Sequence, residues 1–556
     1  MKYRNTMAFV LAFLLLGGLK GLAQDNTYHS VLSEHTWYRL SVNQEGAYQL
    51  DYATLQDMGI DMGTLNPNQI RLFGNPSGAL PEKNSESRPD DLTEMAISVM
   101  GADDGRFDEG DLVLFYGQEP TRWKLLDNGN KTYQRERNYF SDTTYYYLCV
   151  DSGVDGLRVG EKPTLPVGNT TTVITDFPDY AWHETESFSP YSLGQNWWGE
   201  LVSAENKELL IPFVFPNLVK SKALRVKAQV FGRTKNDKMY YDAWVNGNHV
   251  AINASIDKYK DHYYGWPSAF DKQIVLDNDT ALFRLTCDAD LKTFLYLDYV
   301  EIYGWRQLKR TNNNFLFRLM PSQFGADKSA VWVQDVSSEC WLWDVSLPMR
   351  PVTQDAVLSA GNLVFATNER TEKRYVLFQP ADAYHIVSWT TLPNQNLHAV
   401  AEADNLIIAP TTFIEQAQAL ANYHAEKDGL TSVVVDVNQI YNEFSTGTPD
   451  PSGIRDFVRM VYRRSSGQLK YLTLFGRASF DYRNINGYGQ SFVPTYETFE
   501  MPHHEMSFAT DDFFALMDGN EGTNSIGRVD IGIGRISVST VEEAEIILRK
   551  IMDFDN

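Results

Sequence analysis

Asp404-Asn405-Leu406-Ile407-Ile408-Ala409-Pro410-Thr411-Thr412-Phe413-Ile414-Glu415 opens the stretch from which the fold can be read. Leu406 to Ala409 is an apolar run without alternation, closed by Pro410, the pattern of a strand covered on both faces. Thr412-Phe413-Ile414-Glu415 has the form of a capping box, in which a threonine oxygen accepts from a free helix N–H and the glutamate reaches back to the cap. Ile414, Ala417, Leu420, Ala421 and His424 follow at helical spacing. Asp428-Gly429 ends that helix, because glycine tolerates the left-handed turn of a helix exit. Residues 431–437 are a valine-rich second strand. Strand, helix and strand without alternation predict a parallel sheet with helices on both faces.

Downstream the pattern repeats. Pro451 starts a second helix whose inner face is Ile454, Phe457, Val458, Val461 and Tyr462. Residues 469–475 read as a third strand, and 511–517 and 529–533 as two more. Thr540-Val541-Glu542-Glu543 is another capping box, launching a helix with Val541, Ala544, Ile547, Leu548 and Ile551 on one side.

Six strings occur in order: Leu406-Ile407-Ile408-Ala409-Pro410, a block from Val437 to Gly447, Ile454-Arg455, Tyr471-Leu472-Thr473-Leu474-Phe475-Gly476, Thr510-Asp511-Asp512-Phe513-Phe514 and Asp530-Ile531-Gly532-Ile533-Gly534-Arg535. Together they resemble the first half of a gingipain-type (C25) cysteine peptidase domain. With the upstream architecture, the chain resembles the sortases of the type IX secretion system of Bacteroidetes. The resemblance implies a multidomain fold: a β-rich N-terminal domain and a β-sandwich, then an incomplete α/β caspase-like domain with a parallel sheet. It implies removal of C-terminal signal domains from exported cargo through a thioester. Cargo then passes to water or to an amine on anionic lipopolysaccharide, beside outer-membrane type IX components. No cofactor is required on this reading, and structural calcium is expected as in related enzymes.

In that family a cysteine–histidine pair does the chemistry. The histidine sits in a Gly-His-Gly turn and the cysteine follows a later strand, both beyond the matched segment. This chain has cysteines at 149, 287 and 340, all upstream of the peptidase-like stretch. A thiolate nucleophile needs a histidine base beside it, so no catalytic residue is expected in this chain. It is expected to be a truncated product, a fragment or one half of a split frame, inactive alone. The alternative is a non-catalytic surface module whose β domains dock partners or glycans.

Asp511 matches an aspartate that lines the basic-residue pocket of arginine-specific gingipains, where it would pair with a guanidinium through two hydrogen bonds. The alternative is a strand-start aspartate serving local backbone. Asp512 and Asp518 are the candidate calcium ligands. Arg477 and Ala478 stand where the family has an aspartate and often a glycine after Gly476, which reverses the local charge. His503-His504-Glu505, with Glu497 and Glu500 nearby, reads as a surface loop or a metal site, and zinc would need three or four convergent ligands.

The chain begins as a secretory signal: Lys2 and Arg4, an apolar core over residues 7–16, and Gly21-Leu22-Ala23 before Gln24. An exported protein at the outer membrane or cell surface is expected. The expected division is a signal peptide over 1–23, a β-rich domain over 24–165, a β-sandwich over 166–374, a linker over 375–400 and the peptidase-like half-domain over 401–556. Hydrophobic content of 43% and charged content of 22% fit folded protein. Formal charge is −23, and cleavage after Ala23 would make it −26. Such acidity argues against nucleic acid as a partner, since phosphates would be repelled.

Upstream, residues 103–111 pack aspartates, a glutamate and glycines into one loop, read as an Asp-Gly turn or a calcium loop. Leu224, Val226, Ala228 and Val230 alternate as a half-buried strand. Asn246-Gly247 marks a hairpin. Residues 294–303 read as a strand with Phe294, Tyr296, Asp298, Val300 and Ile302 on one face, where the aspartate is out of place. Cys149 reads as a small core residue.

Overall fold

The computed structural model describes residues 28–126, 132–168, 172–260, 263–487, 489–499, 503 and 505–554. The expected signal peptide, Glu500 and His504 lie outside the described residues.

Four sheets stack face to face upstream of the α/β unit. The first holds Trp37–Val42, Thr144–Val150, Ile70–Gly74 and Thr93–Met95, and the second holds Gly46–Asp51, Leu112–Gly117 and Ser98–Met100. Leu40, Val42, Leu50, Phe115 and Leu148 fill the space between them. A third sheet, with Asn314–Leu319, Lys373–Phe378 and Trp341–Asp344, packs on the second through Leu114, Tyr116, Trp343, Val376 and Phe378. Its other face meets a fourth sheet, centred on Ser329–Gln334 and Asn362–Thr367, through Phe315, Phe317, Val331 and Phe365. The two inner sheets are buried on both faces, so Val113 to Tyr116 and Tyr375 to Phe378 are apolar without alternation.

Between the third and fourth sheets' strands the chain inserts a separate sandwich. One layer holds Asp176–His183, Thr293–Gln307, Leu224–Thr234 and Trp266–Ile274. The other holds Glu208–Val214, Thr280–Cys287, Lys238–Val245 and Asn248–Asp257. Leu224, Val226, Ala228 and Val230 point into its core, as their alternation required. Asn246 and Gly247, at φ of 48° and 80°, make the predicted tight turn. The expected single sandwich over 166–374 is therefore two layered units, because the strands of 314–378 pack on the N-terminal sheets as well as on each other.

The expected linker, 375–400, is woven into the N-terminal sheets. Ser388–Leu392 pairs antiparallel with Trp37–Val42, and Tyr384–His385 pairs with the second sheet. Pro380 opens the 3-10 turn between Lys373–Phe378 and Tyr384–His385, and Pro393 follows Ser388–Leu392, so punctuation that resembled a linker marks strand ends.

Thr293–Gln307 also departs from its expected face. A β-bulge places Gln229 opposite Tyr299 and Val230 opposite Leu297, leaving Asp298 as the extra residue. Leu295 and Leu297 before the bulge and Val300 and Ile302 after it all reach the core. Asp298 instead accepts from Gln229 Nε2 at 2.8 Å. Burial pushes its carboxyl up to about 7. The acidic loop of 103–111 is a turn: Asp104 accepts from the Arg106 N–H, and Asp111 from the Asp108 N–H.

From Asn405 the chain builds the α/β unit: β1 (Asn405–Ala409), α1 (Ile414–Asp428), β2 (Ser432–Asp436), α2 (Val437–Phe444), α3 (Pro451–Arg464), β3 (Tyr471–Phe475), β4 (Gly532–Ile536) and α4 (Val541–Phe554). The strands lie parallel in the order β2-β1-β3-β4. Helices α1 and α4 cover one face through Phe413, Leu420, Ala544 and Leu548. Helices α2 and α3 cover the other through Ile440, Ile454, Phe457 and Val461.

Most predicted ends hold. Gly429, at φ of 67°, closes α1, and Asp450 caps α3 ahead of Pro451. Four readings are corrected. The box at Thr412 does not form, because residues 411–413 take a 3-10 turn before α1. The second strand stops at Asp436, which caps a new helix from Val437. Residues 511–517 are not a strand: Asp512–Ala515 is a 3-10 turn that buries Phe513 and Phe514. The last strand is Gly532–Ile536, three residues later than read, since two of its alternate positions are glycines that hide the pattern. The box at Thr540 does cap α4, with Thr540 Oγ1 accepting from the Glu543 N–H and Glu543 reaching back to the Ser539 N–H.

Candidate functional site

Ligands of open parallel sheets gather beyond the carboxyl ends of the strands. Here that edge is roofed by the segments after β3. Gly476 ends β3 at φ of 134°, and a Cβ there would lie 2.9 Å from that of Phe492. Only glycine fits both the torsion and the space.

Arg535, in β4, ties the roof together. Its Nε and Nη2 donate to the two oxygens of Asp511 at 2.8 and 2.7 Å. Its Nη1 donates to the carbonyls of Gly476 and Val493 at 2.9 and 2.7 Å, and Nη2 to that of Pro494 at 3.1 Å. A guanidinium carries five N–H donors, and all five are used. One side chain therefore pins the loops at 476, 493–494 and 511 over the sheet.

The aspartate expected to hold a basic substrate residue thus holds the chain's own arginine through both oxygens. The Asp512 N–H donates to Thr510 Oγ1 at 3.1 Å. Asp518 donates its N–H to Glu521 and offers its carbonyl to Asn84. Among the described residues no three His, Cys, Asp or Glu side chains converge on a point. Asp512 and Asp518 do not fit a calcium site, which needs six or more oxygens.

His503 packs edge-on against Tyr263 at 4.3 Å between ring centroids, and its Nδ1 accepts from the Glu505 N–H. It is a contact between this loop and the inserted sandwich. Glu497 is fully buried, with its carbonyl accepting from Gln195 Nε2 at 2.7 Å. Burial pushes its carboxyl up to about 8.

The loop after β3, where Arg477 and Ala478 stand, docks onto the upstream domains. Phe480 stacks on Trp197 at 5.6 Å, Tyr482 meets Phe140 at 5.2 Å, and Arg483 pairs with Asp142 and Glu186. Behind it runs a half-buried chain of charges: Glu186 to Arg137, Arg137 to Glu184, Glu184 to Arg135 and Arg135 to Glu301. Charges taken out of water require partners of this kind.

Sequence reasoning missed two buried groups in this unit. His398 and Glu443 form a wholly buried pair. Arg455 is also fully buried, its guanidinium 4.1 Å above the Phe513 ring, with none of its three nitrogens hydrogen-bonded. Arg455 lies in a quoted string, but a lone arginine on a helix otherwise signals solvent.

Residues 398–556 match the model of Peptidase family C25. This segment is a C25 peptidase domain. The fold of the whole chain is similar to the crystal structure of dimeric latent PorU from Porphyromonas gingivalis: 21% identity, TM-score 0.80, covering 95% of this chain and 50% of that one. The chain therefore spans about half the length of that protein. Two weaker likenesses carry no argument. One is the CBM36-1 domain of a multidomain xylanase from the hindgut metagenome of Trinervitermes trinervoides (14% identity, TM-score 0.15, covering 22% of this chain and 95% of that one). The other is the insecticidal delta-endotoxin Cry8Ea1 from Bacillus thuringiensis (13% identity, TM-score 0.17, covering 44% and 43%). A search of curated proteins finds no match.

None of the three thiols lies in the C25 domain. Cys149 is in the first sheet, Cys287 in the sandwich and Cys340 beside the third sheet, and all are free. Burial pushes the Cys149 and Cys287 thiols up to about 12, so both stay protonated and unreactive at neutral pH. Among the described residues no helix is long and apolar enough to cross a membrane.

Proposed function

We propose that this chain supplies the scaffold of a type IX secretion sortase: a cysteine-type peptidase that removes C-terminal signal domains from exported cargo and attaches the cargo to anionic lipopolysaccharide at the outer-membrane surface. The observation that carries this reading is the C25 domain seated on stacked β-sheets in the PorU-like arrangement. Outer-membrane type IX components are its partners, and the reaction requires no cofactor.

The residues of this chain supply position rather than attack. Arg535 and Asp511 rigidify the roof over the carboxyl edge of the sheet, and an edge held this way orients what binds there. With Asp511 engaged by Arg535, that position does not select a basic side chain in the substrate. The position of all three thiols outside the C25 domain supports the further reading that the chain by itself does not cleave.

The test is incubation of the purified chain with a reporter bearing a cargo C-terminal signal domain. Binding of the signal domain without cleavage is the expected result. Cleavage that a thiol-alkylating reagent abolishes would overturn the inactivity, and absence of binding would overturn the sortase reading in favour of a module that docks other partners or glycans.

A further inference from the structure

One end of the inserted sandwich gathers positive charge, against the trend of a chain whose net charge is −23. It lies where Leu224–Thr234 ends and Thr293–Gln307 begins. Thr234 and Thr293 sit opposite each other and are buried, with their hydroxyls 3.2 Å apart. Side chains alternate along a strand, so Arg233 and its partner Phe294 turn to the outer face. The ladder runs one step further, the Lys235 N–H donating to the Lys292 carbonyl, and both lysines are exposed. Arg233 is half-buried. Its guanidinium lies over two rings, 4.1 Å from the Tyr264 centroid and 5.0 Å from that of Tyr259. Tyr191 and Phe188 pack on Tyr264 with centroids 5.8 and 5.6 Å away, which fixes that ring.

Arg135, Arg318, Arg483 and Arg535 each meet a carboxylate. Among the described residues Arg233, Lys235 and Lys292 do not. Asp290, in the adjoining turn, accepts from Asn236 Nδ2 at 2.9 Å and from the Lys292 N–H at 2.7 Å. Ring contacts use the faces of a guanidinium and leave its in-plane N–H donors for another partner. That planar fork matches two oxygens of one anionic group. The two lysines beside it favour a group of nearly two charges over a carboxylate of one. Tyr191, Tyr259 and Tyr264 are half-buried, so part of each ring stays open beside the guanidinium. A tyrosine offers an apolar body and a polar tip, which suits the C–H face and hydroxyl rim of a sugar.

We propose that this surface binds a phosphate group carried on a sugar. The phosphate accepts from the Arg233 fork, Lys235 and Lys292 supply the balancing charge, and the sugar packs beside the tyrosines. The surface adjoins the C25 domain, since Tyr263, next to Tyr264, packs on His503. The site goes beyond the sortase reading and rests on it only for the source of the sugar, the lipopolysaccharide acceptor.

The experiment is titration calorimetry on the full chain with glucose 1-phosphate, glucose, glucuronate and inorganic phosphate. Glucose 1-phosphate should bind, and each of the other three should bind about tenfold more weakly or not at all. Arg233→Gln should weaken glucose 1-phosphate about tenfold, the loss expected for hydrogen bonds to a charged group. Lys292→Gln, at an exposed position, should weaken it about threefold and reduce its salt dependence. Both variants should keep the wild-type melting temperature and the wild-type binding of the cargo signal domain. A chain that binds the sugar phosphate and not the signal domain keeps this site and loses the sortase reading, so the two failures are told apart. Glucuronate bound as tightly as glucose 1-phosphate would overturn the proposal, as would inorganic phosphate bound as tightly, which would mean an adventitious ion only. No binding of any probe at millimolar concentration, or unchanged affinity in both variants, would also overturn it.

Discussion

His398 and Glu443 meet at 2.6 Å, Nδ1 to Oε2, with neither side chain exposed to solvent. The pair locks the approach to the C25 domain onto α2. Glu443 also accepts from the Leu397 N–H and Gln395 Nε2, and His398 Nε2 faces the Asp90 carbonyl of the N-terminal domain. The imidazole stacks flat on Phe444, with ring centroids 4.8 Å apart.

Stability should fall as pH rises past neutrality because of this pair. Burial alone would pull the imidazole's pKa down, but the hydrogen bond to Glu443 and the charges of Asp91, Glu443 and Asp90 outweigh it, and the net shift is upward. A histidine raised in the folded state adds stability that is complete below the unfolded value of about 6.5 and is lost as pH climbs through the folded value. His398→Phe should cost about 3 kcal/mol at pH 6, where it strands a buried carboxylate, and less at pH 9. Urea titrations at the two pH values measure this, and an equal loss at both would refute the assignment.

Arg535→Lys should loosen the roof of the sheet without changing net charge. Lysine is a point charge with three donors and cannot reproduce a two-point pair plus three carbonyl contacts. Leaving part of that set unmade should cost about 2–4 kcal/mol. The loops at 476–494 should become the first sites of limited proteolysis. Wild-type protection in the lysine variant would show that the five hydrogen bonds are not what holds them.

How far these features could be read from sequence differs by residue. The strands β1 and β3, the helices α1, α3 and α4, and the stop at Gly429 were legible because their periodicity and caps are local. The bulge at Asp298 was not, since a one-residue insertion leaves the apolar count unchanged while turning the following side chains over. The strands after Pro380 were hidden because their partners lie about 340–350 residues upstream, in the second and first sheets. Asp511 was legible as a carboxylate that binds a guanidinium. That the guanidinium is Arg535 depends on β4 lying beside β3, which no spacing reveals.

Glu497→Gln should stabilise the protein at pH 8 and leave it little changed at pH 5. Burial pushes this carboxyl up to about 8, the Gly194 N–H pulls it down by less, and Asp481 adds the smallest upward push. A carboxyl raised in the folded state binds its proton more tightly there. Its contribution is therefore complete below the unfolded value of about 4.3 and is lost as pH rises toward 8. The amide cannot ionise, so the variant's melting temperature should exceed wild type by a few degrees, about 2–4 °C, at pH 8. A variant destabilised equally at both pH values would mean that Glu497 serves by shape alone.

Gly522→Ala should separate the arm at residues 80–92 from the C25 domain. That arm has no helix or strand before Thr93, and it lies across α3 and the loop that follows Met517. Arg88 pairs with Asp456 at 2.7 Å, Leu80 donates its N–H to Asp450, and Arg459 donates to the carbonyl of Asn84. Gly522 sits at φ of 112°, where an added Cβ would collide with both the Glu82 carbonyl and the buried Arg455 guanidinium. A methyl group there meets strain in the torsion and collision in space, so a loss of about 2–3 kcal/mol is expected. Lys83, within the arm, is exposed. Trypsin should then cut after Lys83 faster in the variant than in wild type, while cleavage within the inserted sandwich stays unchanged. Equal cutting across the whole chain would mean that the substitution unfolds the protein globally and that the arm is not a separable element.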